Sequence, residues 1–233
     1  MEGNKTKLKV IDKEDRGNNI FTLKLYSQEK TSFIPGQFIT IFFPDTEIKE
    51  GKAYSVSDKI DDNTFSITIK KVGEFSSKLN DLKIGDEVVS SNPYGFFYTE
   101  NKETDLVFVA GGMGITPFKS QITHHLNNNS KRNMYLFYSN KNISDIVFKN
   151  EFDYFSSSHN NFMVKYFITQ ESDLDNFFIK GRIDAKEIIN HINNEIRNKE
   201  FFICGSISFV REMWKGLRDG GISEENIYTE AFF

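Results

Sequence analysis

Two rhythms of apolar and polar residues divide this chain. Up to about residue 100 the period is two. Phe21, Leu23 and Leu25 alternate with polar positions, and so do Phe65, Ile67 and Ile69 in TFSITIKK. Successive side chains of a strand point to opposite faces, so the alternation predicts half-buried strands. GQFITIFF and DEVVS add further strands, each behind a glycine-bearing turn. Short strands at regular spacing, with little helical pattern, predict a sandwich or a small antiparallel barrel.

After about Glu103 the rhythm changes. Leu106–Ala110, Met134–Tyr138, Met163–Ile168 and Phe201–Cys204 are short continuous apolar runs, the composition of strands covered on both faces. Helical segments separate them. Ile115, Phe118, Ile122 and Leu126 share one helical face. Asp184 and Glu187 form a capping box ahead of IINHINNEI, and Gly220 and Gly221 end a helix around Phe209 to Leu217. This alternation predicts an α/β domain with a doubly wound parallel sheet. The polar stretch TENKET, residues 99–104, then separates two domains, 1–100 and 104–233. The asparagine-rich HHLNNNSKRN reads as a solvated loop.

Length and charge narrow the function. With 233 residues and a net charge of −4, the chain suits two modest cores and offers no basic footprint for nucleic acid. The single Cys204 excludes a disulfide within the chain and any all-cysteine iron–sulfur cluster. No apolar run spans a bilayer, and MEGNKTKLKV lacks a signal-peptide core, so a cytoplasmic location is expected. His124, His125, His159 and His191 show no metal-ligand spacing, and no metal site is expected. No serine–histidine–acid arrangement is evident.

The chemistry lies in four short segments. In LVFVAGGMGITP, residues 106–117, a buried strand runs into a glycine turn that opens a helix. Gly111, Gly112 and Gly114 permit a sharp reversal and the approach of a ligand to bare backbone. Thr116 suits the N-cap and Pro117 the first helical position, so unpaired N–H groups would face a phosphate. Lys52-Ala53-Tyr54-Ser55 is placed at the end of a strand. In Gly73-Glu74-Phe75-Ser76, Gly73 would expose backbone N–H groups, and Ser76 would cap a helix and donate to phosphate. Phe202-Ile203-Cys204-Gly205-Ser206 is a buried strand ending in a small-residue turn at the edge where α/β sheets bind ligands.

The order and spacing of these segments resemble the ferredoxin–NADP reductase superfamily over nearly the whole chain. KAYS stands where that family has an arginine-x-tyrosine-serine flavin motif. Gly73, Ser76 and their neighbours Lys70, Val72 and Ser77 match its flavin-phosphate segment. NPYGFF, residues 92–97, is similar to the close of its flavin domain, GGMGITP to its nicotinamide-nucleotide motif, FFICGS to its cysteine-glycine-proline motif, and TEAFF to its glutamate-x-phenylalanine ending. Lys52 replaces arginine, offering phosphate a point charge instead of a planar fork, and Ser206 replaces proline.

The resemblance implies a flavin-binding β-barrel followed by a nucleotide-binding α/β domain. It implies a flavoprotein oxidoreductase in which hydride passes from NADH or NADPH to FAD (FMN being less expected). Lys52, Ala53, Tyr54, Ser55, Lys70, Val72, Gly73, Ser76 and Ser77 would hold flavin, with Tyr54 against its ring and Ser55 near the atom that takes hydride. Gly111, Gly112, Gly114, Thr116, Pro117, Ser139, Asn140, Lys141, Cys204 and Gly205 would hold the dinucleotide. Ser55, Cys204 and Glu230 would be the catalytic residues. Phe233 would stack over the flavin, and Phe232 would line or fill a crevice beside it.

The ribose-reading position should follow YLFY. Ser139, Asn140 and Lys141 stand there, with no acid until Asp145, a pattern that accommodates a 2′-phosphate. YSNKNISDIVFKNEF resembles NADH–cytochrome reductases and tips the expectation to NADH. Electrons would leave for a separate acceptor: a ferredoxin, flavodoxin, cytochrome or oxygenase component. The alternatives are a reductase of free flavin and an electron-transfer subunit of a larger complex.

Overall fold

The computed structural model describes residues 5–44, 46–48, 50–193 and 195–232. The chain forms two compact units. One is built from the chain up to Tyr98 together with Thr116–His124. The other is built from Thr99–Ile115 and the chain from His125 onward.

The first unit holds β1 (Lys5–Gly17), β2 (Ile20–Ser27), β3 (Phe38–Phe42), β4 (Lys52–Lys59), β5 (Thr64–Lys70), α1 (Glu74–Asp81) and β6 (Glu87–Ser91). The strands close into an antiparallel barrel in the order β1-β2-β5-β4-β3-β6. Val10, Leu23, Leu25, Ile39, Ile41, Val56 and Ile67 form its interior, and Phe75 and Leu79 of α1 join the same cluster. The strand alternation conceals a second buried face. Thr64, Ser66 and Thr68 of β5 are buried along with Phe65, Ile67 and Ile69. Thr68 shares hydrogen bonds with Thr22 at 2.9 Å and Ser57 at 3.1 Å, so this face is a hydroxyl seam and not a solvated surface.

The second unit follows with β7 (Asp105–Gly111), a 3-10 turn (Gly112–Ile115), α2 (Thr116–Asn127), β8 (Met134–Asn140), α3 (Lys149–Ser158), β9 (Phe162–Ile168), β10 (Phe178–Lys180), α4 (Ala185–His191), β11 (Lys199–Ser206), α5 (Ile207–Asp219) and β12 (Ile227–Phe232). Residues 116–124 of α2 cluster with the first unit. The sheet is parallel throughout, in the order β10-β9-β8-β7-β11-β12. Residues Leu106 to Ala110 are fully buried, as a central strand requires. Asp184 caps α4 by accepting from the Glu187 N–H at 2.8 Å. Gly220 closes α5, and Gly221 takes a φ of +94°.

The start of the sheet carries a buried polar clamp. The Glu200 carboxylate accepts from Thr99 (2.8 Å), Thr104 (2.6 Å), Arg132 (3.1 Å) and Tyr228 (3.1 Å). Arg132 also donates to the Thr104 carbonyl. The side chains of Arg132 and Glu200 are only 6% and 5% exposed, so the asparagine-rich stretch is not wholly solvated: its one arginine is drawn into this network.

Candidate flavin and nicotinamide sites

In the first unit, KAYS opens β4; it does not close a strand as its sequence suggests. Antiparallel pairing sets Ser55 opposite Phe38, Tyr54 opposite Ile39, Ala53 opposite Thr40 and Lys52 opposite Ile41. Lys52 and Ala53 are exposed, Tyr54 is half-buried and Ser55 is buried. The Tyr54 ring lies 6.2 Å from that of Phe75, which ties β4 to α1. Burial pushes the Tyr54 phenol up to about 12, so it stays protonated.

At α1 the sequence reading needs correction. Ser76 is the third helical residue, not the cap, and its hydroxyl is already engaged. It accepts from the N–H groups of Val72 (2.9 Å) and Gly73 (3.1 Å) and donates to the Gly73 carbonyl (3.0 Å). Ser76 therefore shapes the turn, and the free donors are backbone N–H groups of the first helical turn. Gly73 has φ −167°, extended backbone open to any residue, and a Cβ there would meet nothing within 4 Å. Neither strain nor packing explains its missing side chain. The open space suits a flavin phosphate over the helix start, so this end of the unit fits the group. Val72 and Lys70 are exposed, Lys70 opposite Ile20 at the end of β5, and Ser77 is partly buried.

In the second unit, β7 and β11 are neighbours whose following connections depart in opposite directions, the switch point at which open α/β sheets bind ligands. The helical turn starts at Gly112, five residues before Pro117, the first helical position that the sequence suggests. Thr116 is buried inside continuing helix and is not its cap, and Pro117 is buried beside it. The three glycines also divide by role. A Cβ on Gly114 would fall on the Cys204 carbonyl, and one on Gly111 would press on the Phe209 ring at 3.0 Å. Those two serve packing. Gly112, at φ +53°, faces open space, so it alone among the three leaves room for a pyrophosphate. Gly205 is likewise packed against Phe209.

Cys204 and Glu230 are register partners on β11 and β12. Cys204 is fully buried, and burial holds its thiol well above its ordinary value. Its side chain is enclosed beside the sheet edge where the nicotinamide pocket is expected. Glu230 has a buried Oε2 without a hydrogen-bond partner, and burial pushes its carboxyl up to about 7. Ser139 pairs with Gly111 across β7 and β8. The Asn140 side chain is buried beside the Tyr138 hydroxyl, while Lys141 is exposed. Unpartnered polar groups inside a protein are costly, and the Glu230 oxygen at the carboxyl edge of the sheet fits a polar ligand there. Phe232 is partly buried opposite Ser206; Phe233 lies outside the described residues.

Beside Asp145, which the sequence already offers, the structure adds an acid that spacing hides, Glu171. Glu171 accepts from the Ile143 N–H at 2.6 Å, and Asp145 accepts from the Asn142 amide at 3.0 Å. Two carboxylates thus flank the turn after β8. The signal was present only as β8–β9 adjacency, which brings the Gln170 N–H to the Lys141 carbonyl at 2.8 Å. Among the described residues no cluster of histidine, cysteine and acids could hold a metal, and no helix is long and apolar enough to cross a membrane.

A closed antiparallel barrel with a phosphate-type helix start, followed by a doubly wound sheet with a nucleotide-type turn, is the architecture of two-domain flavin and nicotinamide-nucleotide proteins. Residues 6–98 match the model of the oxidoreductase FAD-binding domain, and residues 108–215 that of the oxidoreductase NAD-binding domain. The chain belongs to the ferredoxin–NADP reductase superfamily and carries its two oxidoreductase domains, one FAD-binding and one NAD-binding.

It is 28% identical to a flavohemoprotein of Bacillus subtilis over 96% of this chain and 58% of that protein. It is 30% identical to one component of the Na(+)-translocating NADH-quinone reductase of Haemophilus influenzae over 69% of this chain and 40% of that one. The chain thus spans about half the length of these curated relatives. A ferredoxin NADP+ reductase from Neisseria gonorrhoeae, solved with FAD and NADP, shares the fold with a TM-score of 0.86 at 21% identity, over the full length of both chains.

Proposed function

We propose that this chain takes hydride from NADH onto FAD and delivers electrons to a separate acceptor. When bound, the flavin supplies the redox chemistry, accepting hydride and releasing electrons. Tyr54 would pack against its ring and Ser55 would place a hydroxyl near the reacting edge. Ser55 as a residue is buried, at 6% exposure. Lys52 and the first turn of α1 would hold phosphate. In the second unit Gly112 would admit the pyrophosphate, and Ser139, Asn140 and Lys141 would meet the adenosine side. Glu230 would hold or release a proton beside the nicotinamide ring. Cys204 would contribute through packing.

The observation that carries this reading is Glu230, a carboxyl near neutrality with an unpartnered buried oxygen at the switch-point edge of the sheet. NADH is favoured because Glu171 and Asp145 flank the turn after β8. A 2′-phosphate there would meet two carboxylates as well as Lys141. The test is anaerobic reduction of the FAD-reconstituted protein by NADH and by NADPH, followed at the flavin absorbance. Faster bleaching with NADH supports the reading; no flavin signal after reconstitution overturns it. Lys52 in place of arginine favours a second reading, in which flavin exchanges with solution as a substrate.

A further inference from the structure

The flavin-phosphate end of the first unit has a charge arrangement that a permanently held diphosphate would not need. Lys52 at the start of β4 and Glu74 in the first turn of α1 line one cleft of about 460 Å³, together with Glu47, Ile48, Glu50 and Phe75. Among the described residues one cation and three carboxylates line this cleft, and none of the four ion-pairs with another described residue. The N-terminus of α1 carries the partial positive charge that would attract phosphate, but Glu74 is exposed on that same turn and already answers it. Gly73 beside it leaves open space, so a phosphate and the Glu74 carboxylate would share one small region.

We propose that Glu74 is a resident counter-anion at the flavin-phosphate position and sets flavin affinity low, making the flavin exchangeable. This inference rests on the reading that flavin phosphate binds at α1. The Glu74 carboxylate competes for the helix field, and with Glu47 and Glu50 it repels an incoming dianion. Lys52 offsets one charge without the two-pronged grip of a guanidinium. The effect depends on phosphate: it acts on FAD and FMN and spares riboflavin, which has none.

The test is equilibrium titration of FAD, FMN and riboflavin into the wild-type chain, Glu74→Gln and Glu87→Gln, read by flavin fluorescence at low and moderate salt. Glu87→Gln removes an exposed charge on β6 that pairs with Lys7, and so controls for net charge. Glu74→Gln should lower the Kd for FAD and FMN by about five- to tenfold, the scale of one removed like charge, and leave riboflavin unchanged. The gain should shrink as salt rises. Unchanged FAD affinity in Glu74→Gln overturns the inference, as does an equal gain with riboflavin or in Glu87→Gln. Failure of every variant to bind any flavin overturns instead the flavin-site reading, and the inference with it.

Discussion

Replacing Glu230 by glutamine removes a carboxyl whose proton affinity burial has moved into the physiological range. Its ordinary value is 4.5 and its folded value about 7. Ionising it in the folded state therefore costs about 3 kcal/mol more than in the unfolded chain, an upper bound because Glu230 is partly exposed. The folded pKa lies above the unfolded one, so the contribution of Glu230 to stability is greatest below pH 4.5. It declines as pH rises toward 7 and stays low beyond. Glutamine does not titrate. The stability difference between wild type and Glu230→Gln should thus shift by about 3 kcal/mol between pH 4.5 and 8.5, against the wild type. A constant offset from the amide drops out of this comparison. The assay is urea unfolding followed by fluorescence of Trp214, the only tryptophan, which lies on α5 in the same unit. A stability difference that does not change with pH would refute the reasoning. The pH profile of flavin reduction by NADH should also lose an ionisation near 7 in the variant.

Three further outcomes are expected. Glu200→Ala strands the buried Arg132 guanidinium and should cost about 3–5 kcal/mol by the same Trp214 assay, with Glu200→Gln losing less because it still accepts hydrogen bonds. Gly114→Ala should lower the melting temperature by forcing β11 away, a penalty of about 1–3 kcal/mol, whereas Gly112→Ala should cost only about 1 kcal/mol of left-handed strain while weakening NADH binding measured by calorimetry. Glu171→Gln should improve kcat/KM for NADPH relative to NADH by about fivefold, the worth of one screened charge pair, and an unchanged ratio would remove Glu171 from nucleotide selection.

Element type was legible wherever local pattern and tertiary demand agree. The apolar run at Leu106 could only be a central strand, and the glycines behind it could only turn. Roles that depend on a neighbour from elsewhere in the chain were not legible. Gly111, Gly112 and Gly114 look alike in sequence, and what separates them is the Phe209 ring and the Cys204 carbonyl. The Ser76 hydroxyl turns back to its own loop, a choice that spacing does not encode. Glu171 reaches Ile143 only because β9 lies beside β8. Thr64, Ser66 and Thr68 mimic a solvated strand face because threonine and serine suit both water and a buried hydroxyl seam.

The Glu200 clamp has a mechanical consequence. It grips the chain at Thr99 and Thr104, just before β7, while the Gly112 turn lies at the far end of that strand, about 20 Å away for seven residues. Both anchor points lie within the second unit, so the entry to β7 is fixed by that unit's own buried charge. The sheet that presents the nucleotide turn thus carries its own starting anchor, independent of the barrel's packing.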